Sequence, residues 1–314
     1  MSGPVTPADA PPVPEHGECE RRVVEVLESR TSEVGQLSVR RALPRRARRT
    51  VGAWCFADHM GPADVTADRG VDIGPHPHIG LQTVTWLAAG EILHRDSLGS
   101  EQVIRAGQLN LMTAGIGVAH SEEATGRYAG ELHGIQLWVA QPDATRNGRP
   151  AFEHHAELPR VELGRHGDAT VFVGDFAGAE SPARRDSEHT GVDVALRGPC
   201  ALPLRADYEY AVVVLDGAVD VEGTTVTPGH LAYLGSGREE VDVRTADGAA
   251  ARLVLLGGVP FDDEILMWWN FVARTRAEID EARAAWQAFD HRFGVVASAL
   301  ARIGAPEPMW RAAK

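Results

Sequence analysis

The sequence predicts an all-β chain built as two consecutive β-barrels, followed by one C-terminal α-helix. Three observations predict this. The chain has 314 residues, more than one small core needs, because domains run to about 100–200 residues. Short apolar runs bounded by Gly, Asp or Pro follow one another from Leu37 to about Val139, as VGAWCFADHMGP, LQTVTWLAAGEI, QLNLMTAGIGVAHSEE and ELHGIQLWVA. Such punctuation marks a β-sandwich or barrel. A second set of the same kind, ATVFVGDF, YEYAVVVLDGAVDVEG, HLAYL and ARLVLLGG, fills the later half.

Residues 1–20 are Pro-rich and acidic, without the basic start and apolar stretch of a secretory signal, and read as a disordered extension. From Arg21 to Glu28 (RRVVEVLE) β-branched and polar residues alternate as in a strand. This strand opens an N-terminal barrel over 21–142. The close succession of Pro142, Asp143, Asn147, Gly148 and Pro150 marks a linker over 143–160. A second barrel follows over 161–274, with Asp216 and Gly217 as a hairpin turn. Residues 275–314 form a helix and tail: Thr275 and Glu278 read as a capping box, and Ile279, Ala282, Trp286, Phe289 and Phe293 recur at spacings of three and four. Its apolar stripe is expected to pack on a barrel.

Composition narrows the function classes. The chain is 44% hydrophobic and 24% charged, as globular proteins are. It lacks an apolar run of about 20 residues, so no membrane partner is expected. A formal charge of -13 repels phosphate backbones, which argues against direct nucleic-acid binding. The one basic run, Arg40, Arg41, Arg45, Arg46, Arg48 and Arg49, reads as a solvated loop or a strip of internal ion pairs. Cys19, Cys55 and Cys200 are odd in number and far apart, implying neither a disulfide framework nor a metal ribbon. A cytoplasmic monomer is the expectation.

Two short motifs carry chemistry. In GPHPHIGLQTVTW, His76 and His78 are two apart, so on a strand they share a face. In GIGVAHSEE, His120 and Glu122 repeat that spacing, after Gly115 and Gly117, which permit close backbone approach. If the two strands are neighbours, three imidazoles and a carboxylate converge on one divalent ion. Such a donor set suits Fe(II), Mn, Ni, Co or Cu without naming one, and the lack of a cysteine argues against a closed structural zinc site. Four side chains on a six-coordinate ion would leave two positions open to water, substrate or dioxygen. Glu123 points to the opposite face and is left out. Alternation past His78 puts Val84 and Trp86 on the ligand side as an apolar wall for a flat aromatic substrate, the plainer reading being that Trp86 and Trp138 fill the barrel. His59, His94 and His133 are candidates for supporting or proton-transfer roles, or are ordinary structural histidines.

The glycine and histidine spacing, Gly70, His76, His78, Gly90, then Gly107, Gly117 and His120, is similar to the two motifs of cupin barrels. More narrowly, ESRTSEVGQLSVRRALPRRARRTVGAWCFADHMGP, PHPHIGLQTVTWL, LMTAGIGVAHSEE, GIQLWVA and EILMWWNFVARTRAEIDEA resemble the pirin family from about Val23 to Ala285. The resemblance implies two cupin (jelly-roll) barrels in tandem, the first holding one divalent metal, Fe(II) foremost, through His76, His78, His120 and Glu122. It also implies a place for His59 near the barrel mouth. Two departures stand out. Gln82 occupies a position where cupin motifs and many pirins have glutamate, and the second barrel has no HxH, its His230 standing alone as a turn residue. That barrel reads as metal-free.

Two functions follow from the resemblance. One is a metal-dependent dioxygenase that opens the heterocycle of a flavonol such as quercetin, with Glu122 as ligand and base and with a small aromatic molecule and dioxygen as substrates. The alternative is a non-catalytic metal-binding regulator that senses redox state and acts through protein partners. Both need the same ligands.

Overall fold

A computed structural model describes residues 23–310 apart from 68 and 247. The expected extension over 1–20 therefore lies outside the described residues. Twelve strands lead up to and build the first half: β1 (Glu25–Glu28), β2 (Arg30–Val34), β3 (Leu37–Leu43), β4 (Trp54–Val65), β5 (Ile73–His78), β6 (Leu81–Ala89), β7 (Glu91–Asp96), β8 (Glu101–Arg105), β9 (Leu109–Thr113), β10 (Val118–Glu123), β11 (Gly130–Ala140) and β12 (Ala151–His155). The first barrel consists of a seven-stranded sheet ordered β12-β9-β6-β11-β4-β3-β2 and a four-stranded sheet ordered β5-β10-β7-β8. Antiparallel pairing with one face inward is what the short alternating runs and Gly-marked turns specify.

The second barrel repeats the plan. Its large sheet joins His230–Gly235, Glu209–Asp216, Ala251–Gly258, His189–Leu196, Gly167–Val173 and Arg160–Leu163, and its small sheet holds Cys200–Pro203, Glu240–Arg244, Val219–Val221 and Thr224–Val226. Val, Leu and Tyr side chains such as Val194, Tyr208, Val212 and Leu253 pack together in its interior. His230 is half-buried at a strand start, its Nδ1 3.2 Å from Thr227 Oγ1.

Two segments lie elsewhere than sequence proximity suggests. β1 pairs with His230–Gly235 and so belongs to the second barrel's sheet. β12 lies inside the expected linker but pairs with β9 in the first barrel; its polar residues Glu153, His154 and His155 suit an edge strand and so mimic a linker. The large sheets of the two barrels pack face to face: Val84, Trp86, Leu109 and Ile135 form one core with Phe172, Val213, Leu231 and Leu256. Across this joint Trp54 Nε1 donates to Thr190 O and Gly257 O, each at 3.1 Å.

The helix α1 (Arg276–Gln287) begins as expected, with Thr275 Oγ1 accepting from the Glu278 N–H at 3.2 Å. The Glu278 carboxylate reaches back to the Arg274 N–H. Ile279, Ala282 and Trp286 are buried, but Phe289 is 77% exposed because the helix has already ended at Gln287, where the three-and-four periodicity stops applying. The tail then returns to the first barrel, where the Ile303 N–H donates to Pro75 O at 2.9 Å. The basic run is partly consumed internally: Arg41 pairs with Asp58, and Arg48 with Glu25 while lying over the Tyr233 ring.

Candidate metal centre

β5 and β10 are paired neighbours, with His76 opposite His120. The ladder slips between His120 and Glu122, where Ile73–His76 carries an extra residue, a bulge of the kind that re-aims side chains. One ring nitrogen from each of His76, His78 and His120 falls within 4.8 Å of the other two, and all three rings are buried.

Their outward nitrogens are committed. His76 Nδ1 donates to Gly74 O at 2.9 Å, and His78 Nδ1 to Asn270 O at 3.1 Å. A carbonyl only accepts, so both rings carry their proton on Nδ1 and turn an Nε2 lone pair inward. His78 Nε2 stands 3.0 Å from His120 Nε2. Three ring nitrogens gathered this closely in a buried site are spaced as ligands of one divalent ion are. Burial pushes the His76 pKa down to about 4, and those of His78 and His120 well below the ordinary value. The imidazoles are thereby kept neutral, the form that binds metal.

Glu122 shares the cavity but stands outside the three-imidazole group, its Oε1 3.5 Å from the Thr85 hydroxyl. Burial pushes its carboxyl up to about 7. The cavity measures about 370 Å3, and its aromatic wall is the stacked pair Phe56 and Trp138, with centroids 4.0 Å apart. Beside them the Arg41 guanidinium grips Asp58 with two bonds of 2.6 and 2.7 Å. Gln136, Asn270, Trp269 and Ile303 complete the walls. A larger groove of about 890 Å3 along α1 shares no lining residue with this cavity.

Comparison with known proteins matches residues 36–139 to the pirin family model and residues 192–294 to the pirin C-terminal cupin domain. The chain belongs to the pirin family. A Pseudomonas aeruginosa protein whose name provisionally assigns it as a quercetin 2,3-dioxygenase is 46% identical over 289 residues, covering 90% of each chain. A pirin-like protein of Caulobacter vibrioides is 38% identical over 271 residues, 84% of this chain and 92% of its own. The crystal structure of a quercetin 2,3-dioxygenase from Acinetobacter baumannii superposes with a TM-score of 0.87 at 42% identity, covering 91% of this chain and 95% of that one.

Within this pirin, two residues expected in the substrate pocket lie elsewhere. Trp86 stacks on Phe172 at 5.3 Å in the joint between the barrels. The chain turns at Ile79–Gly80 into a different sheet, so alternation counted from His78 does not continue into β6; there the inward residue is Thr85. His59 sits in the middle of β4, where Phe56, Asp58 and Met60 face the cavity and His59 faces away. Its Nε2 meets His133 Nε2 at 2.9 Å, beside Arg40. Gln82 is fully buried and bonds Thr113, outside the cavity wall among the described residues. Glu123 pairs with Arg95 at 2.6 Å, away from the site.

Phe56, Asp58 and Gln136 escaped the sequence reading, though alternation along FADHM and GIQLW could have found them. Trp269, Asn270 and Ile303 come from distant chain and carry no local signal.

Proposed function

We propose that this pirin is a metal-dependent dioxygenase that opens the heterocycle of a flavonol such as quercetin, using one divalent ion, Fe(II) first, with Ni, Mn, Co or Cu as alternatives. The observation that carries the reading is one cavity holding three clustered imidazoles, a buried carboxyl and a stacked aromatic wall. Its volume of about 370 Å3 lies within the range of small-molecule sites. The names of the Pseudomonas and Acinetobacter relatives support the same substrate class.

His76, His78 and His120 would hold the ion, with Glu122 as fourth ligand. When bound, the ion supplies Lewis acidity toward an oxyanion and open positions for ligands. Glu122, a buried carboxylate in the same cavity as the three imidazoles, takes the proton of the flavonol 3-hydroxyl. Phe56 and Trp138 hold the flat ring system against the centre, contributing orientation rather than charge. Both atoms of dioxygen enter the product, one ring carbon leaves as carbon monoxide, and an ester is released.

Aerobic incubation of metal-reconstituted protein with quercetin should consume the flavonol absorbance and release carbon monoxide, and a folded His120→Ala protein should do neither. Consumption without oxygen would refute the reaction. No turnover with any divalent metal would favour the regulator.

A further inference from the structure

We propose that His94 and Asp96, on β7, are the positioning pair of the metal centre, fixing the tautomer and ring orientation of His120. The inference rests on the three imidazoles being metal ligands. Whereas His76 and His78 are oriented by backbone carbonyls, His120 Nδ1 faces another ring nitrogen, His94 Nδ1, at 3.4 Å. Either nitrogen could donate to the other, so that contact alone leaves the direction open.

The far end of the chain of bonds sets it. Asp96 Oδ1 accepts the N–H groups of Leu98 and Ser100, each at 2.9 Å, leaving Oδ2 facing His94 Nε2 at 3.1 Å. A carboxylate accepts, so His94 carries its proton on Nε2 and presents a bare Nδ1. With an ion bound between His120 Nε2 and His78 Nε2, 3.0 Å apart, the His120 proton sits on Nδ1, and His94 Nδ1 is the acceptor waiting for it. Phe152 of β12 stacks on His94 at 4.4 Å with 13° between planes, fixing the ring from the other side. His94, Asp96 and His120 are 4%, 3% and 2% exposed, so water does not compete for these bonds. The pair thus does for the third ligand what carbonyls do for the first two.

The geometry makes Asp96→Asn the informative substitution. The amide oxygen stays on the two N–H groups that Oδ1 now holds, and the NH2 turns to His94 Nε2, reversing every bond down to His120. Cobalt(II) affinity, measured by chelator competition, should fall about 10–100-fold, with a changed cobalt absorption spectrum and an unchanged near-UV circular dichroism. His94→Leu should show a similar loss, and His94→Gln, whose carbonyl can accept from His120, should recover part of it. Cobalt affinity within about twofold of wild type and an unaltered spectrum in both Asp96→Asn and His94→Leu would overturn the proposal. Should those proteins fail to fold, 15N NMR of the zinc-loaded wild type decides: His94 protonated on Nε2 with a bare Nδ1 supports the pair, and His94 protonated on Nδ1 overturns it. Wild-type protein that binds no cobalt at all would instead remove the metal reading beneath it.

Discussion

Two tryptophans separate what a residue is from where its strand puts it. Trp138 lines the cavity, edge-on to His78 with centroids 5.2 Å apart, whereas Trp86 is locked between the barrels. Trp138→Ala should therefore raise the KM for a flavonol, while Trp86→Ala should leave KM near wild type and lower stability by about 3–5 kcal/mol, the usual range for a buried aromatic. Steady-state kinetics and urea denaturation of the pair check this. The histidines of HPH and HSE were legible because each spacing stays within one strand, where the period of two is fixed by geometry. Trp86 was misplaced because that count was carried across a turn into another sheet. No spacing rule could have shown Asn270 offering its carbonyl to His78, since 192 positions separate them.

At the scale of elements, the tail after α1 closes one side of the cavity through Ile303, and its seat depends on a glycine. A Cβ on Gly74 would sit 2.0 Å from Ala301 O, so either β5 or the tail must move. Gly74→Ala should accordingly expose residues 294–310 to proteolysis, visible as faster C-terminal trimming at unchanged far-UV circular dichroism. Capping gives a second expectation: Thr275→Ala removes the acceptor for the Glu278 N–H and should lower stability by about 1 kcal/mol. The helix itself was readable from its cap and stripe. Its end was not, because Phe289 continues the numerical pattern after the backbone has left the helix at φ +58.

Considered as a whole, the molecule places buried histidines in the joint between its barrels. Burial pushes His59 down to about 3 and His189 down to about 4, and His189 meets Trp54 of the other barrel edge-on at 5.1 Å. Both fall below the ordinary value of 6.5, so between that value and their native pKa the unfolded chain binds more protons than the folded one. Stability of the metal-free protein should thus be greatest above about pH 6.5 and decline on acidification toward pH 4. Urea midpoints measured across that window check the slope, which His189→Leu should reduce. The two-barrel plan was visible in the repeating apolar runs. Their docking was not, because an outer face buried against a second sheet has the same composition as an inner one buried in its own core.

The pairing of β1 with His230–Gly235 sets an order of events during synthesis. The ribosome releases this strand before any of the first barrel, yet its partner emerges only after that barrel and most of the second have left the exit tunnel. Until then the strand is an unpaired edge waiting for a template, and a chain cut between the barrels would strand it on the wrong fragment. Splitting this protein into two cleanly folding halves therefore requires moving residues 23–28 to the C-terminal piece.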